Sequence, residues 1–321
     1  MTRRALPLAL TAAMLAAQTI RVGVDLVSVP VLVLSREGRV VPDLQSVDFH
    51  LFDNDVPQPF VLDTSVSPLS VAIVVQANQD VRAYLPFIAK IGNAVDALLI
   101  GEAGEAAAVV YGDDVTVAKP FESGDLSLAL RKLTPDGRNA RAVDAGMRAI
   151  DLLRARAPNH RRVLLYIGQP ADHGSESPLD DLRAAAETHN VTVHAVALPE
   201  IGKTFVSDTF SLQGLSSRMD RGGFKAGADL GRLIPTLTRT AAAAQNADPF
   251  SVLAAATGGT QLHFREQKQL EDAVAILGVE LHSDYVLSFT PKGTGYHTLR
   301  VEVDVPGAKT HARPGYRLTT N

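Results

Sequence analysis

The sequence predicts an α/β fold in which a doubly wound, mostly parallel sheet is inserted between N- and C-terminal β segments that form a small sandwich. Residues 18–67 and 284–321 both carry alternating β text. Residues 68–283 instead alternate continuous apolar runs with helical periodicity, the pattern of a sheet covered on both faces. The change of grammar falls sharply at Pro68.

From Ile20, IRVGVDLVSVPVLVLS sets Val22 and Val24, then Val27, Val29, Val31 and Val33, at alternate positions, the period of a half-buried antiparallel strand. Glu37-Gly38 and Asp53-Asn54-Asp55 supply turns. SVAIVVQA, from Ser70, is apolar without alternation, as a strand buried on both faces must be. Leu85, Ile88, Ile91, Val95 and Leu98 then recur at steps of three and four. AAAVVYG and VTVAKPF read as strands and LSLALRKL as a helix, and Val143, Met147, Ile150 and Leu153 mark one face of a helix over 142–156. RRVLLYIG and VTVHAVALP are buried strands on either side of SPLDDLRAAAETHN, a helix opened by Ser177 and Pro178. FSVLAAATGGTQLHF gives a short helix, a glycine turn and a strand, and EQKQLEDAVAILGVELHS aligns Leu270, Val274, Leu277 and Leu281 on one helix. DYVLSFTP, YHTLRVEVDVPG and ARPGYRL return to β text. Residues 200–247, rich in Gly, Ser and Arg, are expected to form a surface excursion or a functional loop.

Composition narrows the function classes. With 46% hydrophobic and 21% charged residues and a net charge of -4, the chain can bury a core. It has no basic run and no Trp, which argues against a nucleic-acid partner. Without cysteine there is no disulfide, thiolate zinc site, cysteine nucleophile or lipidated cysteine. MTRRALPLALTAAMLAAQ reads as an export signal over 1–17: Arg3 and Arg4, an apolar stretch from Ala5 to Leu15, and the small pair Ala16-Ala17. That stretch is shorter than the ~20 residues a bilayer span needs. A membrane anchor or a plain apolar helix is the competing reading. No other segment looks long and apolar enough to span, so a periplasmic or extracellular location is expected, released or surface-retained.

VDLVSVPVLVLSREGRVVPDLQSVDFHLFDND near the start, ATGGTQLHF before the last helix, and ELHSDYVLSFTP followed by ARPGY resemble, in order and spacing, exported von Willebrand factor type A-related proteins of the acidobacterial kind. The likeness covers nearly the whole chain from residue 20. It implies a von Willebrand factor A/Rossmann-like domain over 68–283. In better-preserved members it also implies a metal-ion-dependent adhesion site. There Asp-x-Ser-x-Ser follows the first buried strand, a Thr and a second Asp come from later loops, and magnesium keeps one position for a partner's carboxylate.

Two stretches compete for that motif. DTSVS (Asp63, Ser65, Ser67) has the spelling, but it precedes the buried strand and sits among Pro57, Pro59 and Pro68. QANQD has the placement, and there the resemblance puts Gln76, Asn78 and Asp80 at the ligand positions. The family's Thr falls on Ala140 of Arg138-Asn139-Ala140, and its later Asp on Gln169 of Gly168-Gln169-Pro170. The resemblance therefore implies a degenerate site with no metal and no cofactor. The alternative is a residual divalent cation at Asn78 and Asp80, with Asp172 on a neighbouring loop. The expected surface for a protein partner is the face of Gln76, Asn78, Asp80, Ala140, Gln169 and Asp172, or else the 200–247 excursion.

No catalytic residue is expected. Asp172, His173 and Ser175 are neighbours in one loop, whereas triad partners come from separate elements. Neither Gly-x-Ser-x-Gly nor His-Glu-x-x-His occurs. His194 reads as a strand histidine satisfied by packing, His189 and His282 as helix C-terminal residues, and Asp113-Asp114 as a hairpin turn. Gly258-Gly259 follows a helix and precedes a strand, the reverse of a phosphate cradle. The expected function is an exported, non-enzymatic protein-binding or adhesion-type module. An envelope α/β enzyme of unknown chemistry and a scaffold that retains only its fold are the alternatives.

Overall fold

The computed structural model describes residues 26–63, 68–95, 100, 103–122, 124–199, 248–263, 267–283 and 285–319. The expected signal at 1–17, the excursion at 200–247, and Ser65 and Ser67 of the competing motif lie outside the described residues.

Four strands open the chain: β1 (Val27–Leu34), β2 (Phe49–Asp53), β3 (Val56–Pro57) and β4 (Val61–Asp63). The α/β region follows with β5 (Leu69–Gln76), α1 (Leu85–Val95), β6 (Glu105–Tyr111), β7 (Val115–Lys119), α2 (Leu126–Arg131) and α3 (Ala142–Arg154). It continues with β8 (Arg161–Gly168), α4 (Leu179–Thr188), β9 (Val191–Ala197), α5 (Pro249–Thr257), β10 (Gln261–His263) and α6 (Gln267–Ser283). Four strands close it: β11 (Tyr285–Phe289), β12 (Gly295–Val303), β13 (Lys309–Ala312) and β14 (Gly315–Leu318).

The central sheet runs β10-β9-β8-β5-β6-β7. All its pairings are parallel except β6 with β7, a hairpin at the edge. Strand period 2 sorts the side chains of β5 onto two faces. Val71, Ile73 and Val75 join α1, α2 and α6 in one core, and Ala72 and Val74 join α3, α4 and α5 in another. Every residue of β5 is buried, which is why its sequence shows no alternation.

The terminal strands form two four-stranded sheets, β13-β1-β11-β4 and β14-β12-β2-β3. Strands from the two ends of the chain pair antiparallel, Val29 opposite Leu287 and Leu51 opposite Val301. The alternating valines of β1 meet Phe49, Leu51, Leu299 and Tyr316 of the second sheet in one apolar cluster. Within it the Tyr316 hydroxyl donates to Asp53 Oδ2 at 3.0 Å, while His297 Nδ1 lies 2.9 Å from Asp53 Oδ1.

A buried polar cluster joins the two halves. His194 Nδ1 on β9 accepts from the Thr260 amide at 3.1 Å, the Thr260 hydroxyl donates to Glu280 Oε1 on α6 at 2.7 Å, and His311 Nε2 of β13 lies 3.8 Å from that same oxygen. Burial pushes the His194 imidazole down from about 6.5 to about 4; Glu280 pulls it up, and His311 and Arg161 push it further down.

The sign of the resulting pH effect follows from which state takes the proton. Below pH 6.5 the unfolded chain protonates His194 while the folded chain refuses the proton until about pH 4. Stability from this residue is therefore complete above pH 6.5 and lost as pH falls toward 4. Urea midpoints measured across that window are expected to drop in the wild type and to drop less in His194→Gln, whose amide oxygen can still accept from Thr260.

Candidate functional site

The switch point of the central sheet lies between β5 and β8. From β5 the chain moves outward to β6 on one side, and the strands from β8 to β10 fill the other. In open α/β sheets the crevice at the carboxyl ends of such strands is the customary ligand site. Here Gln76 ends β5 and Gln169 follows β8, so both stand at that edge.

The crevice is closed by amide chemistry. Gln76, only 1% exposed, accepts from the Gln169 backbone amide through Oε1 at 2.6 Å and donates through Nε2 to Asn78 Oδ1 at 3.0 Å. The fully buried Asn78 side chain also accepts from the Asp80 amide at 3.2 Å, capping the 3₁₀ turn Gln79–Val81. Its Nδ2 donates to the carbonyls of Asn139 at 2.9 Å and Arg138 at 3.3 Å. Ala140 is buried and pairs through its backbone with His173, at 3.0 and 2.9 Å. Burial thus narrows the predicted contact set: a partner resting here meets exposed Asp80 and half-buried Gln169 and Asp172, but not Gln76, Asn78 or Ala140.

Two carboxylates, Asp113 and Asp144, hold the neighbouring loops. Asp113, read as part of a hairpin turn, accepts through Oδ1 from the amides of Asn139 at 2.8 Å and Arg138 at 3.1 Å. Gly137, with φ +59°, passes so close to this carboxylate that a Cβ would overlap it. Asp144 accepts from Arg141 Nη2 at 2.8 Å and from the amides of Glu176 and Ser177, each at 3.0 Å. Burial pushes its carboxyl up, but those backbone amides, with Ser177 and Arg141, outweigh it and hold the group at about 2. An Asp in the first turn of a helix was the available sequence signal, though its partners lie 32 and 33 residues away.

The loop 172–175 holds the start of α3. Asp172 Oδ1 accepts from the Val143 amide at 2.9 Å and from the Ser175 hydroxyl at 2.6 Å, and Ser175 Oγ accepts from the Asp144 amide at 3.2 Å. Both residues thereby supply a helix N-terminus whose own cap residue, Arg141, makes no side-chain cap. His173 is exposed and joins through its backbone. A second Ser-His-carboxylate set, unread in the sequence, lies at the opposite edge of the sheet. Ser70 Oγ donates to Glu105 Oε1 at 2.6 Å and lies 2.9 Å from His160 Nδ1, while Arg156 grips both Glu105 oxygens at 2.8 and 2.9 Å. Ser70 has no exposed surface, and its hydroxyl lies within hydrogen-bond reach of both the carboxylate and the imidazole, clasping the three residues together.

Asp63, the described residue of DTSVS, stands apart from all of this. Asp63 ends β4, opposite Val286, at the amino side of β5. The eight residues of β5 put it roughly 25 Å of strand away from Gln76. No helix among the described residues is long and apolar enough to cross a membrane.

No family model matches the chain, and no curated protein matches it. Solved structures similar to it include a von Willebrand factor type A protein from Catenulispora acidiphila, 13% identical, with a TM-score of 0.45 over 88% of this chain and 77% of that one. Another is the conserved hypothetical protein BatB from Bacteroides thetaiotaomicron, 12% identical, with a TM-score of 0.43 over 66% of this chain and 98% of its own. A third is an aerotolerance-related membrane protein from Bacteroides fragilis carrying multiple mutations to serines, 16% identical, with a TM-score of 0.39 over 65% and 98%.

The closure makes a definite demand on Asn78. Asn78→Ala is expected to cost about 1–3 kcal/mol in denaturant unfolding, because it leaves buried partners unpaired. Asn78→Asp is expected to cost at least as much, since it turns a carboxylate toward the carbonyls of Arg138 and Asn139.

Proposed function

We propose that the chain is an exported, von Willebrand factor A-like binding module that holds a protein partner without a metal ion and performs no catalysis. The observation that carries this reading is the commitment of oxygen atoms at the switch-point crevice. Gln76 Oε1 and Asn78 Oδ1 already accept hydrogen bonds, Ala140 has no side-chain oxygen, and Asp172 faces the start of α3. Magnesium demands a near-octahedral shell of hard oxygens and sheds its water reluctantly. Asp80, the one acidic side chain left among the predicted ligand positions, offers a single charge against that dehydration. The residues present do not fit the ion. The sequence resemblance supplies the module type, and the exposed Asp80 with its half-buried neighbours Gln169 and Asp172 supplies the contact face.

Calorimetry with magnesium and manganese tests the metal-free reading directly, and no heat is expected in the wild type or in Asp80→Ala. Heat that disappears in Asp80→Ala would establish a rebuilt cation site at the crevice. Heat that disappears only in Asp63→Ala would return the site to DTSVS. Export is tested separately by the N-terminus of the protein expressed with its own leader, expected to begin at Gln18 after cleavage behind Ala17.

A further inference from the structure

A small cavity lies in the seam where β9 and α6 of the α/β region meet β1 and the chain just after β13. Its walls include Pro30, Thr192, His194, Glu280, His311 and Arg313. The centre of a water molecule has about 10 Å3 of space there, close to the least that one ordered water needs and far too little for an organic ligand. Gly258 keeps the walls close. It ends α5 at φ +76°, so near the corner after β13 that a Cβ would overlap the Arg313 backbone.

The lining carries donors and acceptors that protein groups leave unmatched. His194 Nδ1 accepts from the Thr260 amide, so that nitrogen bears no proton. Burial, which pushes this imidazole down to about 4, keeps it neutral near pH 7. Its proton therefore sits on Nε2, which is buried and makes no hydrogen bond to the protein. All three guanidinium nitrogens of Arg313 are in the same condition. Glu280 takes the Thr260 hydroxyl on Oε1 and leaves Oε2 buried without a donor. His311 Nε2 is buried 3.8 Å from Glu280 Oε1, beyond hydrogen-bond reach.

These demands select the occupant. Buried polar groups of folded proteins are as a rule hydrogen-bonded. Only a molecule that accepts from His194 and Arg313 and also donates to Glu280 meets them together. An anion has nothing to donate to Glu280, and a cation would face the Arg313 guanidinium. No counter-ion is called for, because Glu187 of α4 lies near enough to favour the Arg313 charge. A hydrogen-bonded oxygen approaches a nitrogen to about 2.9 Å, inside van der Waals contact, so walls this close hold a water rather than exclude it.

We propose that this cavity binds one structural water molecule, which accepts from His194 Nε2 and Arg313, donates to Glu280, and so ties the terminal sandwich to the α/β region. None of these residues belongs to the carboxyl-edge face, so this proposal and the binding-module reading fail separately.

A high-resolution crystal structure of the full chain, with a second crystal soaked in bromide, reads the occupant directly. One water peak is expected within about 2.7–3.2 Å of His194 Nε2 and of Glu280 Oε2 or an Arg313 nitrogen. In solution near neutral pH, the nitrogen chemical shifts of His194 are expected to show the Nε2–H tautomer, and that proton a nuclear Overhauser contact to bound water. Bromide scattering at the site would make the occupant an anion and overturn the proposal. So would the Nδ1–H tautomer, or side chains that pair with one another across the cavity and leave no water between them.

Discussion

A buried carboxamide must place two N–H donors and one carbonyl oxygen, and at Asn78 that requirement organises the whole carboxyl edge of the sheet. The side chain has no exposed surface, so water cannot satisfy it. It draws the 138–139 loop onto the end of β5, while Gln76 beside it draws in the loop after β8. Asp113 holds the same 138–139 amides from the other side. Three side chains from two strand ends thus close this edge of the sheet by hydrogen bonding.

The terminal strands meet the α/β layers under a different constraint. They are fixed to each other by registered antiparallel pairing, and to the sheet by the polar cluster through His194, Thr260 and Glu280 with His311 nearby. Arg313, itself 3% exposed, belongs to the same enclosed lining.

What the sequence made legible was whatever depends on local period. The unbroken apolar run of β5 announced burial on both faces, and the alternating valines of β1 announced one buried face. The unlike placements of DTSVS and QANQD about β5 followed from chain order alone. What it hid depends on pairings between distant residues. His194 read as satisfied by packing, whereas its Nδ1 takes an amide 66 residues away and its Nε2 is buried without a partner. Gln76, Asn78 and Ala140 looked like surface positions, yet each is covered from afar: Asn78 by the 138–139 loop about sixty residues downstream, Gln76 by Gln169, and Ala140 by His173. The clasp of Ser70, Glu105 and His160 is invisible for the same reason, its members being 35 and 90 residues from Ser70.

These constraints together decide how each edge of the sheet is closed. At the switch point, two glutamines and an asparagine spend their donors and acceptors on one another and on backbone, so the crevice that usually takes a ligand in such sheets presents mostly satisfied groups. The amino edge uses guanidinium groups for the same task. There β8 begins with Arg161 and Arg162, and their side chains donate to backbone carbonyls, Arg161 to Leu281 and Arg162 to His189 and Arg156. Each edge is therefore tied by side chain to backbone bonds, neutral at the carboxyl end and charged at the amino end.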